Sequence, residues 1–427
     1  MLQPIVGFAG MSHLGINTAV ATAERGFNTI CYDRNESLID QLKQQKLSII
    51  EPELPELLEK NTTTNRLIFS SDVSQLYNCD IVYISCDVIT DENGKSDLFS
   101  IQSLIEHICE HLNQHAILVI LCQVPPGFTR HLQKLIPIER LYYQVETLIF
   151  GKAINRALFP ERFIIGSVDA DKPLNQNFQI LLTAFECPIL KMNYESAELA
   201  KISINCYLAA NISVANMLSE ICENIGANWS EIVPALKLDK RIGPYSYTMP
   251  GLGIAGGNLE RDLHTVLALS EQYGTENGLI KAWIYNSQYR KNWVLKTLHQ
   301  KIFLQCPDPI IAVLGLTYKE NTNSTKNSPS LNLLESLKNY TIRTHDPTVQ
   351  TSIVSWATGQ CSIEETIQDA DILIIMTPWD VFKALKPSDL NKHMRGKIII
   401  DPYHALNNVA FLQAGFQYFT LGRGERC

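Results

Sequence analysis

The chain has 427 residues, a length that predicts two or three domains rather than one core. Hydrophobic residues make up 45% and charged residues 19%, as in a globular protein. No run reaches the roughly 20 apolar residues that a membrane-spanning helix needs. The formal net charge of -8 argues against a nucleic-acid partner, because such partners are usually bound by a basic face.

The start of the chain and its cysteines indicate the compartment. The opening MLQPIVGFAG leads directly into a strand-like run, without the basic stretch and cleavage site of a signal peptide, so a cytoplasmic protein is expected. The 11 cysteines are scattered through apolar runs, which favours buried, reduced thiols. CxxC pairs and His/Cys clusters at metal-ligand spacing are not expected in this chain, so no metal site is predicted. Because no long apolar run is present, no membrane partner is predicted either.

The N-terminal part alternates between strand-like and helical patterns. PIVGFAG, NTAVATAERG and FNTICYD predict a βαβ unit. Further apolar runs, CDIVYISC, HAILVILCQV and RFIIGS, are separated by helical segments up to about residue 190. This alternation predicts a parallel sheet flanked by helices, and we take 1–194 as the first domain.

The rest of the chain predicts a helical middle and a second α/β domain. A segment without internal Gly or Pro runs from Glu195 to Gly226 and is long enough to connect two domains. With the glycine-dense loop 251–263 it forms a predicted central region, 195–300. Over 301–427, strand-like runs return: PIIAVLGL, TIRTHDP, ADILIIMTP and GKIIIDP. The predicted fold class is α/β, with two mostly parallel sheets joined by a long helix.

A cofactor signal follows the first strand. In GFAGMSHLG the best register of a dinucleotide fingerprint is Gly10, Ser12 and Gly15, with serine in place of the middle glycine. Asp33 ends the second strand, where a carboxylate can accept hydrogen bonds from ribose hydroxyls and would repel a 2′-phosphate. The adjacent Arg34 leaves some room for NADP, but NAD is favoured, and a loop-capping role for Asp33 stays open.

Several further pieces follow one another along the chain in a characteristic order and spacing: IIEPEL, DENGKSDL, VPPG, GKAINRALFPERFIIG, the 195–226 helix, DKRIGP, RDL and VLGLTYKENTNSTKNSPS. With these pieces, the chain resembles the UDP-glucose and GDP-mannose dehydrogenase family from residue 4 to 425. The resemblance implies two Rossmann-like domains, a nucleotide-sugar substrate with a UDP-sugar favoured, and a homodimer formed through the long helix.

The resemblance also implies roles for individual residues. Lys201 and Asn205 match a catalytic lysine and asparagine, and their four-residue spacing puts them on one helix face. Glu146 and Asp262 match carboxylates used in acid and base chemistry. Cofactor-binding positions further along the chain are Gln123, Arg261 and Lys326. Substrate-binding positions are Thr147, Leu148, Phe150, Gly151, Arg241, which in the family reaches a neighbouring subunit, Tyr247, Gly256, Tyr318, Lys319 and Tyr403.

The chain departs from the family pattern at its loop. The family reads GFGGSCFPKD, whose cysteine attacks the sugar aldehyde, whereas this chain reads GIAGGNLERD. Asn258 therefore stands at the nucleophile position, and a carboxamide cannot form a thioester. Further departures surround the presumed cofactor and substrate: Asp87, Val88, Cys122, Gln123, Phe150 and Tyr403.

Three hypotheses follow. The first is an NAD-dependent oxidoreductase that stops after two electrons, or that returns the hydride and so isomerises or epimerises the sugar. Hydride transfer needs a base but no thiol. The second is sugar-acid formation with an activated water. The third is a catalytically silent homologue that binds the nucleotide-sugar and NAD, or that only pairs with an active partner.

Overall fold

The computed structural model describes residues 3–88 and 96–424, so residues 91–95 of the DENGKSDL piece lie outside it. The chain divides into two compact units, Met1–Ile204 and Asn205–Cys427. The division falls inside the predicted long helix, which is one continuous element, α8 (Tyr194–Ile225). It begins one residue before the predicted start and ends one residue before the predicted end.

The first unit is built around an eight-stranded sheet with the order β3-β2-β1-β4-β5-β6-β7-β8, in which only the β6–β7 pair is antiparallel. Its strands are β1 (Val6–Ala9), β2 (Thr29–Tyr32), β3 (Leu67–Ser70), β4 (Ile81–Ile84), β5 (Ile117–Ile120), β6 (Leu141–Gln144), β7 (Phe163–Ser167) and β8 (Ile189–Asn193). Its helices are α1 (His13–Glu24), α2 (Glu36–Lys43), α3 (Leu54–Thr63), α4 (Phe99–Cys109), α5 (Phe128–His131), α6 (Ala153–Leu158) and α7 (Gln176–Thr183), followed by the start of α8.

The second unit carries a six-stranded, all-parallel sheet with the order β11-β10-β9-β12-β13-β14. Its strands are β9 (Ile310–Leu314), β10 (Thr341–His345), β11 (Thr358–Gly359), β12 (Ile372–Ile375), β13 (Ile398–Ile400) and β14 (Gln417–Phe419). After α8 its helices are α9 (Trp229–Leu238), α10 (Asn258–Tyr273), α11 (Gly278–Lys291), α12 (Trp293–Thr297), α13 (Pro329–Ser336), α14 (Ile363–Ile367), α15 (Asp380–Lys383), α16 (Pro387–His393) and α17 (Asn408–Gln413).

Both sheets are covered by helices on their two faces, which is why their central strands are apolar throughout. Every residue of β1, β4 and β5 is buried, as is every residue of β12. The first unit has two apolar clusters, and the second unit has two large ones and two smaller ones. In both sheets the strand order reverses beside the first strand, and in such sheets the carboxyl ends of the strands at this point form the usual ligand crevice.

The predicted α/β class is confirmed. The predicted runs form β1, β2, β4, β5 and β7 in the first unit, and β9, β10, β12 and β13 in the second. Among the described residues, the helices are all too short or too polar to cross a membrane.

Candidate functional site

The fingerprint residues form a tight turn between β1 and α1. Gly10 has φ +99°, and a Cβ there would lie 2.8 Å from Cys86 Cβ. Gly15 lies against the same turn, since a Cβ on it would come within 1.9 Å of the Gly10 carbonyl oxygen. Both positions therefore require glycine, as the cofactor fingerprint demands.

Ser12 takes the place of the middle glycine at the N-cap of α1. Its hydroxyl donates to the Ser85 carbonyl at 3.1 Å and accepts from the Asp87 backbone N–H at 2.9 Å. The extra side chain is thus used to hold the turn against the end of β4. The N-terminus of α1, with its positive dipole end, still faces the carboxyl edge of the sheet where a pyrophosphate binds.

Asp33 lies at the end of β2 and also braces the turn. Its carboxylate accepts from the Met11 backbone N–H at 2.8 Å and from that of Asn35 at 2.9 Å. The Arg34 guanidinium is directed to α4, where it donates to Ser103. Gln123 is buried just beyond β5. These residues fit a dinucleotide cradle with a ribose-side carboxylate, and Asp33 acts in loop capping as well.

A buried carboxylate that was not predicted joins this turn to the predicted substrate-binding segment, residues 147–151. Glu51, of the IIEPEL piece, accepts from His13 at 2.7 Å, from the Gly151 backbone N–H at 2.7 Å and from that of Ala153 at 3.1 Å. Burial alone would raise the pKa of Glu51, but these three hydrogen bonds outweigh it and lower the pKa.

The substrate segment is held by further contacts in the first unit. The Phe150 ring stacks on His13 with centroids 3.9 Å apart. The Thr147 carbonyl accepts from Arg156 at 2.7 Å, and the Leu148 backbone N–H donates to Glu146. Thr147, Leu148, Phe150 and Gly151 are therefore fixed as one segment, and it is connected to the fingerprint turn through His13 and Glu51. The pattern that could have revealed this pair is a histidine inside the fingerprint followed by a glutamate in an otherwise exposed loop.

Lys201 lies on α8 and forms an ion pair with Glu146. The Nζ–Oε2 distance is 3.1 Å, and the two side chains are only 11% and 13% exposed. The predicted lysine and the predicted acid are thus brought into contact within the first unit. A little-exposed ammonium beside a carboxylate can stabilise a developing alkoxide and pass a proton to or from the carboxylate.

Asn205 and Asp262 form a second polar pair, which lies in the second unit. The Asn205 amide donates to Asp262 Oδ2 at 2.5 Å, and Arg261 Nε lies 3.5 Å from Oδ1 of the same carboxylate. All three residues are buried. Arg261, which the family resemblance assigns to the cofactor, thus also contacts the Asp262 carboxylate.

The glycine-dense loop packs against the segment that follows β9. The Gly256 backbone N–H donates to the Lys326 carbonyl at 3.1 Å, and the Asn327 amide donates to the Gly256 carbonyl at 2.9 Å. Gly256 has φ +77°, and a Cβ on it would lie 3.1 Å from the Tyr318 ring. A Cβ on Gly257 would lie 3.4 Å from the Lys326 side chain. Within the second unit, three predicted residues, Gly256, Tyr318 and Lys326, are thus brought together.

Tyr403 contacts the same loop. Burial raises the pKa of its hydroxyl, and that hydroxyl accepts the Leu252 backbone N–H. Lys319 lies beside Tyr318, with Nζ 5.7 Å from the centre of its ring. Arg241 and Tyr247 are exposed, and Arg241 pairs with Asp239 at 2.7 Å.

Asn258 is the first residue of α10, and its side chain is exposed. The N-cap is Gly257, so the first backbone N–H groups of α10 surround position 258. This is the kind of place where a thiol becomes a thiolate, because the helix dipole stabilises negative charge. An amide cannot use that field for nucleophilic attack.

Cys206, the cysteine next to Asn205 in sequence, does not replace the missing nucleophile. It packs in an apolar cluster with Ile254 and Leu263. Burial and the Asp262 charge raise the pKa of its thiol to about 11. The thiol is therefore protonated near neutrality and unreactive.

One group of potential metal ligands was not predicted from the sequence. His107, Glu110 and His111 offer ligand atoms that all lie within 4.8 Å of one another. The sequence signal is HICEH, in which positions i, i+3 and i+4 share a helix face. A search restricted to cysteine pairs and His/Cys groups overlooks it.

This combination of features is typical of an NAD-dependent oxidoreductase: two α/β units, a dinucleotide turn, a buried Lys–Glu pair and a glycine-dense loop in the second unit. Comparison with known proteins gives the family. The UDP-glucose/GDP-mannose dehydrogenase models match three ranges: the NAD binding domain at 5–182, the central domain at 195–288 and the UDP binding domain at 312–408. The chain belongs to the UDP-glucose/GDP-mannose dehydrogenase family, and NAD is its cofactor.

Individual relatives are similar over nearly the full length. The chain is 28% identical to UDP-glucose 6-dehydrogenase TuaD of Bacillus subtilis, with 98% of this chain and 93% of the relative covered. It is 26% identical to UDP-glucose 6-dehydrogenase of Rickettsia typhi, with 98% and 99% covered. The structure of UDP-D-ManNAc dehydrogenase from Pyrococcus horikoshii superposes with a TM-score of 0.86 at 25% identity, with 98% and 99% covered.

Proposed function

We propose that the protein is an NAD-dependent oxidoreductase of a UDP-sugar that performs single hydride transfers and does not form a thioester. The observation that carries this proposal is Asn258 at the N-terminus of α10, where the family motif has cysteine. The matching UDP binding domain supports the choice of UDP as the nucleotide.

The residues for a two-electron step are in place. When bound, NAD would supply the acceptor for a hydride from a carbinol carbon. The hydroxyl proton of the carbinol must leave at the same time. Glu146 would accept this proton as the base, while Lys201, 3.1 Å from Glu146, would hold the hydroxyl oxygen. The Lys201 ammonium stabilises the alkoxide that forms as the proton leaves. The product would be an aldehyde or ketone, or an epimer when the hydride returns to the other face of a ketone.

Asp262 has a different supporting role in this proposal. Asn205 holds one carboxylate oxygen and Arg261 lies beside the other, so the carboxylate is fixed in orientation. In the family this position accompanies the nucleophile. Without a thiol to serve, it can order a water or a sugar hydroxyl.

A second candidate is favoured by the same carboxylates. A water activated by Glu146 or Asp262 could hydrate the aldehyde, and a second hydride transfer would then give the sugar acid. The relatives named above, UDP-glucose 6-dehydrogenases, support this alternative.

One experiment separates the candidates. Protein freed of bound nucleotide is incubated with NAD and UDP-, GDP-, CDP- and dTDP-sugars, and the products are analysed by mass spectrometry and NMR while NADH is counted. We expect one NADH per aldehyde or ketone, or an isomer with no net NADH, from a UDP-sugar. Two NADH per sugar with a carboxylate product would overturn the proposal and establish the second candidate. Inertness without NAD binding would identify a silent homologue.

A further inference from the structure

The first unit carries a polar cluster that the proposed reaction does not use. It lies at the carboxyl end of α4 and in the two residues that follow, and its members are His107, Glu110 and His111. Their spacing of three and four residues puts them on one face of the helix end. One potential ligand atom from each lies within 4.8 Å of the other two, and the two imidazole centroids are 5.0 Å apart.

The geometry of His111 prepares it for a metal. Its Nδ1 lies 2.9 Å from the His107 carbonyl oxygen, so Nδ1 carries the proton and Nε2 presents its lone pair. A backbone carbonyl bonded to the far nitrogen is the usual way in which a ligating histidine is oriented. The ring is therefore held in one tautomer before any ion arrives.

His107 is also prepared, by its packing. Its ring lies against Tyr32, with centroids 6.4 Å apart. Burial first, and then the charges of Arg34 and His111, lower the pKa of His107. The Tyr32 ring thus flanks one side of this imidazole.

The surrounding charges are balanced in favour of a cation. Glu110 is exposed and supplies a carboxylate at the rim, and Asp72 is close enough to His111 for the two charges to interact. Arg34 opposes them. The carbonyl groups at the end of α4 carry the negative end of the helix dipole, which attracts positive charge.

We propose that His107, Glu110 and His111 bind one divalent first-row transition ion, such as Zn²⁺, Ni²⁺ or Cu²⁺. Two imidazoles and one carboxylate suit these ions, whereas Mg²⁺ and Ca²⁺ prefer sites made of oxygen alone. Three protein ligands on an accessible helix end leave the remaining positions to water. The proposal does not depend on the redox reaction proposed above.

The test uses the full-length protein after treatment with EDTA and removal of the chelator. Ni²⁺ is titrated in by isothermal calorimetry, and Co²⁺ is added in parallel to record its visible absorption. We expect one equivalent of Ni²⁺ to bind. His107→Ala and His111→Ala should each weaken binding at least tenfold, and Glu110→Gln by a smaller factor.

Two matched controls keep the result interpretable. His115→Ala removes an exposed histidine four residues beyond His111, and Cys361→Ser removes an exposed thiol. Both should bind Ni²⁺ as the unmodified protein does, and circular dichroism should show that every variant is folded. The proposal fails if the unmodified protein binds no Ni²⁺ at millimolar concentration, or if His107→Ala and His111→Ala bind it unchanged.

Discussion

At the residue scale the most informative side chain is Lys201. Its side chain is 11% exposed, and its ammonium nitrogen lies 3.1 Å from Glu146 Oε2. Removal of one charge-stabilising donor typically costs about 10²- to 10³-fold in kcat. We expect Lys201→Ala to lose activity to that extent while NAD binding, measured by calorimetry, is kept. A loss of no more than a few-fold would remove Lys201 from the chemistry.

Asn258→Ala is the matched comparison for Lys201→Ala. Asn258 is exposed at the start of α10, and the proposal gives its amide no part in the reaction. We expect kcat/KM for the UDP-sugar to change by no more than a few-fold. An equal loss in both variants would show that Asn258 has acquired a catalytic role.

Asn258→Cys tests the field at the start of α10. The positive end of the helix dipole should lower the pKa of the new thiol below the ordinary ~8.5. The measurement is the pH dependence of its alkylation by iodoacetamide in the Cys361→Ser background. A thiol that titrates at or above the ordinary value would mean that the helix end does not activate this position.

At the element scale the loop 251–263 is held by backbone contacts that tolerate little change. Gly256 combines φ +77° with a Tyr318 ring 3.1 Å from its missing Cβ. A left-handed conformation costs a non-glycine residue about 1–2 kcal/mol. We expect Gly256→Ala to lower the free energy of unfolding by about that amount, measured by urea denaturation, and to reduce activity.

Gly251→Ala is the control for Gly256→Ala. A Cβ at residue 251 meets nothing within 4 Å, and its backbone N–H, which donates to Asn216 at 2.8 Å, is kept. This variant should unfold at the same urea concentration as the unmodified protein. If both variants are equally destabilised, the contact between Gly256 and Tyr318 is not the cause.

The elements also show what the sequence could predict. Central strands such as β4 and β12 are apolar at every position, and α8 has no interruption, so their patterns are unambiguous. β8 and β11 were missed because they lie at sheet edges and are half-exposed or exposed, which erases the apolar pattern. β3 alternates buried and exposed residues over only four positions, too few to show a period.

The site was predictable only where a motif or the family likeness supplied a position. Lys201, Glu146, Asn205 and Asp262 were named in advance, but their pairing depends on contacts between distant parts of each unit. The hydrogen bonds of Glu51 run to residues 38 and 100 positions away, and no local pattern contains them.

At the scale of the whole molecule, Glu51 gives stability a pH dependence. Its lowered pKa means that the folded state favours the ionised form, so its contribution is complete above the ordinary value of 4.5. The contribution is lost as pH falls through the lower pKa of the folded state. Acid should therefore remove it only below about pH 4.5.

Glu51→Gln measures this contribution directly. Hydrogen bonds to a charged group are worth about 1.5–3 kcal/mol, so the variant should be destabilised by about 2 kcal/mol at pH 7. The difference from the unmodified protein, followed by urea denaturation at several pH values, should shrink below pH 4.5. A difference that stays constant down to pH 3 would show that the charge of Glu51 is not what stabilises the fold.

The same carboxylate has a consequence for the affinity of the protein for its ligands. Glu51 is bonded both to His13 of the fingerprint turn and to the backbone of Gly151 in the substrate segment. A movement of the turn on cofactor binding would reach the predicted substrate-binding segment through this one side chain. The two ligands should then change each other's affinity by the same factor, as reciprocity of coupled binding requires.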